Sequence, residues 1–201
     1  MLTKTQQVQS DHIIHVDRTI MSSMADPPDI WRRVHRLSER ILGANLATEA
    51  LEAWCHENAI GDGRVIALRA PDPAPEPLDE ESLEALYPYS PDKSARFRCV
   101  RLATAGTVIV NALNWYFPEN LSRDICTKLD TTDIPFGRAV KHLHPKRRTF
   151  FVRRCAPEQF NDTEEIAPTF TAFEHRAVVY GGNGSPLAIV HERFLASLVL
   201  P

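Results

Sequence analysis

Glu192 is the residue whose setting most needs a chemical explanation. It follows the apolar run Pro186-Leu187-Ala188-Ile189-Val190, and a carboxylate buried in such a strand is costly unless a cation faces it or it serves as a proton donor. Cations stand at the other apolar strands: Arg98 in RFRCVRL, Arg148 and Arg153 in RTFFVR, and Arg176 in FEHRAVV. Taken singly, each arginine fits an exposed sheet face. Taken together they can line a cavity for a carboxylated ligand, because a guanidinium fork matches a carboxylate with two parallel hydrogen bonds. Alternation puts Arg98 and Val100 on one face of their strand, with Phe97, Cys99 and Arg101 on the other. Periodicity leaves both readings of the arginines open.

Other chemical signatures are mostly missing. The chain has no Gly-rich phosphate loop, no HExxH and no GxSxG elbow. His142-Leu143-His144 sits one residue off the spacing that aligns two metal ligands on a helix. Cys55, Cys99, Cys126 and Cys155 form no CxxC pair and are read as reduced and mostly buried. No metal site is expected.

The elements that must position these residues follow from pattern and punctuation. Residues 1–28 are polar, weakly patterned and end in Asp26-Pro27-Pro28, which predicts a flexible extension or an arm laid on a partner subunit. Asp29 is a candidate cap for a helix through Ile30, Trp31, Val34, Leu37 and Ile41, stopped at Gly43, with Arg32, Arg33, Arg36 and Arg40 forming its wet face. A second helix, 49–57, leads through Gly61-Asp62-Gly63 into a strand at 64–69. The proline-rich stretch 70–77 reads as a surface crossover, and a short helix is expected at 79–86. Residues 96–102 and 108–116 form a hairpin around Ala105-Gly106-Thr107. Helices at 121–129 and 133–144, a strand at 148–153, an acidic loop at 156–170 and a closing hairpin, 177–195, complete the chain. This order predicts one α+β domain over 29–201, an antiparallel sheet with helices packed on one face.

The 201 residues, 43% hydrophobic and 24% charged, fit one globular domain with a substantial core. A net charge of -3 gives no footing for nucleic acid. No window approaches a membrane span or a signal-peptide core, so a cytoplasmic protein with small-molecule partners is expected.

Three segments, in order, carry a resemblance to the chorismate pyruvate-lyase family, whose α+β fold is shared with the ligand-sensing UTRA domains of some transcription regulators. Phe97-Arg98-Cys99-Val100-Arg101-Leu102 is similar to the strand holding that family's substrate-binding arginine. Ile134-Pro135-Phe136-Gly137-Arg138 is similar to its Pro-Leu-Gly helix start, and residues 185–195 to its last strand with the essential glutamate. The likeness spans roughly residues 30–200. It implies a ligand cavity between the sheet and helical flaps, in which Arg98 binds a substrate carboxylate, Phe136 and Gly137 wall the pocket, and Glu192 is the acid assisting elimination. Arg148, Arg176 and Asn114 are further candidates for substrate binding.

The family cleaves chorismate to 4-hydroxybenzoate and pyruvate without metal or organic cofactor, so the resemblance implies a cofactor-independent carbon–oxygen lyase, with a homodimer as a candidate assembly. An acid in an apolar strand is expected to hold its proton more tightly, as a general acid requires. The chain departs from the family at Asn114-Trp115-Tyr116-Phe117-Pro118, at Phe136 in place of leucine, and in the length of loop 156–170. These departures bear on the substrate more than on the fold. The other readings are a dehydratase or cyclase acting on a different acid, and a non-catalytic small-molecule sensor domain.

Overall fold

A computed structural model describes residues 28–69, 74–89, 95–160 and 166–200. The N-terminal extension, four residues of the proline-rich stretch and part of the acidic loop lie outside the described residues. Helix α1, Asp29–Leu42, buries Ile30, Val34, Leu37 and Ile41, the set that its three- and four-residue spacing dictates. Asp29 is inside the helix and does not cap it. Pro28 precedes the first turn, and Asp29 pairs with Arg32 at 3.2 Å instead. Helix α2, Ala47–Glu57, packs beside it.

Strands β1 (Ile66–Arg69), β2 (Arg96–Thr104), β3 (Thr107–Tyr116), β4 (Lys146–Arg154), β5 (Thr171–Tyr180) and β6 (Pro186–Leu195) form one sheet in the order β1-β2-β3-β6-β5-β4. Every pairing is antiparallel. Two local hairpins, β2–β3 and β5–β6, join through β3 and β6, which makes β6 an interior strand. Ala105 and Gly106 close the first hairpin with φ of 44° and 84°, the positive-φ pair that matches the twist of the flanking strands. Gly181 closes the second by donating to Ser185 O at 2.8 Å.

The helices α4 (Arg123–Thr131) and α5 (Phe136–Val140) lie on the same face as α1 and α2. Leu37, Leu51, Val100, Val110 and Phe194 typify the core under the first pair, and Ile125, Leu129, Val140, Val179 and Ala188 the core under the second. The α+β class with helices over one face of an antiparallel sheet is therefore observed. Helix α3, Glu80–Leu86, is the exception. Capped by Asp79, which accepts from Ser82 N, it sets Leu86 against Trp115, Phe117, Val178 and Ile189 on the reverse face. The four cysteines are free; Cys55 and Cys126 are buried, Cys99 and Cys155 half-buried. No helix among the described residues is long and apolar enough to cross a membrane.

Candidate functional site

Strand alternation decides which side chains meet the helices. Glu192 stands opposite Ala112 on β3 and His175 on β5, and Arg98 stands opposite Asn114. All four polar side chains face α1, α2, α4 and α5. Between the two helical pairs lies a cavity of about 30 Å³. Asn114, Arg147 and Glu192 line it from the sheet, Thr48 from α2, and Phe136 and Gly137 from the start of α5. Its volume is that of about one water molecule. Gly137 is one place where the helical pairs touch: a Cβ there would lie 2.9 Å from Thr48 Oγ1 and 3.3 Å from Leu46 Cδ2.

The cation that faces Glu192 is Arg147. Its Nη2 is 2.7 Å from Glu192 Oε2, with side chains only 3% and 9% exposed. The contact is close but out of line for a hydrogen bond, so Arg147 Nε and Nη2 and Glu192 Oε2 remain without hydrogen-bond partners. Charge is compensated here while hydrogen-bonding capacity is not.

Arg98 has a different place. Its Nη2 donates to Ile134 O at 3.1 Å and to Thr132 O at 3.4 Å, which ties β2 to the segment running into Phe136. It is buried but does not line the cavity, and its Nε and Nη1 have no partner among the described residues. Burial, with Arg69 nearby, pulls its guanidinium down to about 10.

Arg148 and Arg176 point to the reverse face, away from Glu192. The neighbour Arg147 takes the helix side of β4, and His175 takes it on β5. Arg148 donates to Ala85 O on α3 and lies over Tyr180. Arg176 is held by Glu174, Asp79 and Glu81 and stacks on Phe151. The structure thus brings Asn114, Phe136, Gly137 and Glu192 to one cavity, sets Arg98 behind its wall, and puts Arg148 and Arg176 elsewhere.

Sequence reasoning missed Arg147, His175 and Ser38. Ser38 Oγ accepts from Arg154 Nε at 2.8 Å and lies 2.9 Å from His175 Nε2. His175 Nδ1 is buried with no hydrogen-bond partner among the described residues. Burial, then Arg147 and Arg154, drive His175 down to about 3. Among the described residues no group of three metal-binding side chains occurs.

No family model matches the chain. It is 29% identical over 171 residues to "Uncharacterized protein y4mC" of Sinorhizobium fredii (strain NBRC 101917 / NGR234), covering 79% of this chain and 71% of that one. Among solved structures it is similar to the possible transcriptional regulator YydK from Bacillus subtilis subsp. subtilis str. 168, with TM-score 0.39 and 14% identity over 67% of this chain and 59% of that one. It is also similar to the effector-binding domain of the B. subtilis trehalose repressor TreR, with TM-score 0.35 and 13% identity over 65% and 90% of the two chains. For the PhnF C-terminal domain the values are 0.36 and 12% over 66% and 82%. Likenesses of this degree identify neither a ligand nor an activity.

Proposed function

We propose that this chain is a small-molecule-binding domain whose ligand is a hydroxy acid, taken up in the seam between the sheet and the two helical pairs, and that it works by binding rather than by bond cleavage. The observation that carries this reading is the set of buried, unused hydrogen-bonding atoms on the cavity wall: Arg147 Nε and Nη2, and Glu192 Oε2. A ligand carboxylate accepts from the Arg147 fork, and a ligand hydroxyl donates to Glu192. Leaving such groups unmatched costs about 1–3 kcal/mol each, and a ligand that pairs them recovers that amount. With about 30 Å³ of space, entry requires the α1–α2 connection and the Ile134–Gly137 segment to part.

The lyase reading remains the second one, because Asn114, Phe136, Gly137 and Glu192 line the same cavity. It is placed second on geometry. The guanidinium 2.7 Å from Glu192 Oε2 stands where a leaving oxygen would have to receive its proton. One experiment separates the two: calorimetric titration with chorismate and with 4-hydroxybenzoate, followed by assay of the same samples for pyruvate. Binding without pyruvate supports the proposal. Pyruvate release above the uncatalysed rate replaces it with the lyase, and absence of any binding overturns both.

A further inference from the structure

The reverse face of the sheet holds a cavity of about 620 Å³, within the roughly 300–1,000 Å³ typical of small-molecule pockets and far larger than the seam. Its lining is mixed, with charged side chains around an apolar and aromatic patch. Leu113 and Trp115 come from β3, and Trp115 is fixed by Nε1 donating to Glu76 O at 2.6 Å and by an edge contact with His191. His191 is neutral: burial, with Arg176 close by, takes it down to about 4, and Ser82 Oγ lies 2.9 Å from its Nε2.

The acids lining the cavity are Glu76, Asp79 and Glu174, and Glu81 stands beside them on Arg176. Asp79 and Glu174 both hold Arg176, and Glu174 also takes Arg153. Glu76, exposed on the α3 side, is the acid left over there. Glu174 stands opposite Arg193 across the β5–β6 pairing, but its carboxylate is taken by Arg153 and Arg176 and makes no ion pair with Arg193. Arg101, Asn111 and Arg193 sit in one cross-strand row on β2, β3 and β6. Two strand spacings put the arginine Cα atoms about 10 Å apart, with the amide of Asn111 between them. All three are exposed, and neither arginine side chain makes a hydrogen bond or ion pair among the described residues. Two unmatched guanidinium groups flanking an amide, at the mouth of a cavity with an aromatic patch, suit one anionic head with an apolar body behind it.

We infer that this cavity is a second binding site, independent of the seam, for a small aryl carboxylate whose head lies between Arg101 and Arg193 and whose ring rests on Trp115 and Leu113.

The probe is 2-naphthoate, titrated into the full chain by calorimetry and by tryptophan fluorescence. Saturable binding with quenching is expected, with the quenching reduced in Trp115→Phe. Arg101→Gln combined with Arg193→Gln is expected to weaken binding by about tenfold or more, since each removes a charge-assisted contact. Both positions are exposed, so an unchanged thermal melt confirms that the variant is folded. The seam variant Asn114→Ala is expected to leave 2-naphthoate affinity unchanged. The inference is overturned if 2-naphthoate does not bind, if the neutral 2-naphthylmethanol binds equally well, if the double arginine variant binds like the parent, or if Asn114→Ala abolishes binding.

Discussion

Arg147 reaches from β4 across β5 to Glu192 on the interior strand β6, closing a 2.7 Å ion pair beneath the helices. The buried acid on an apolar strand thus has its cation, and both charges are withdrawn from water. Removing one partner of such a pair strands the other, at about 3–5 kcal/mol, whereas replacing both with apolar groups is often neutral or stabilising. Arg147→Met and Glu192→Leu are each expected to lower the unfolding free energy by about 3–5 kcal/mol. The double variant is expected to lose less than either single one, as read from urea denaturation midpoints. Additive losses would show that the pair is not coupled.

Arg98 donates to the carbonyls of Thr132 and Ile134, which makes it a positioning residue for the cavity wall. Arg98→Lys keeps the charge but loses the planar fork. It is expected to cost about 1–3 kcal/mol and to speed amide hydrogen exchange across residues 132–137. If Arg98 instead grips the ligand directly, Arg98→Lys will weaken hydroxy-acid binding and leave exchange in that segment unchanged.

Gly137 is one of the points at which the two helical pairs meet over the sheet, beside the Arg138–Glu52 ion pair. A methyl group there would press on Thr48 Oγ1 at 2.9 Å, and overpacking of this kind costs about 1–3 kcal/mol. Gly137→Ala is expected to destabilise by that amount, and Thr48→Ala in the same chain to restore part of it. A double-variant cycle showing no coupling would mean that the pairs separate freely at this contact.

Much of the fold was legible because its determinants are local. The 3–4 spacing of Ile30, Val34, Leu37 and Ile41 selects the buried side of α1, and glycine-bearing turns place both hairpins. The parity of β2 was legible as well, since Arg98 alternates against Phe97 and Cys99 and is the buried one. On β4 and β5 parity was not legible. In Lys146-Arg147-Arg148 a cation occupies both phases of the strand, so composition does not say which one turns inward. Pairing with β5 decides it, and the register shift between Thr149 and Phe151 breaks the alternation beyond. A one-residue slip exchanges faces, which is why Arg148 and Arg176 were singled out where Arg147 and His175 face the seam. The side chosen by α3 had no local signal either, because an extended proline-rich segment carries no periodicity to read.

His175 and His191 make the stability of the fold depend on pH. His175 is buried and His191 half-buried, and their folded values are pushed down to about 3 and about 4 from 6.5. Around His175 stand Arg147 and Arg154 of β4, Glu192 of β6 and the hydroxyl of Ser38. Around His191 stand Arg176, Asp79, Glu174 and Arg193. His35 shifts in the same direction through burial and Arg154. The unfolded chain therefore binds these protons first. Stability is complete above about pH 6.5 and falls as the pH drops towards 4, by about 1.4 kcal/mol per pH unit for each fully engaged histidine. Carboxylates held low by their partners, such as Asp79, add their own loss only below about pH 4. Urea midpoints are expected to decline between pH 7 and pH 5, and the decline to be shallower in His175→Gln. An equal slope in the variant would mean that His175 is protonated in the folded chain at pH 5, against its placement between Arg147 and Arg154.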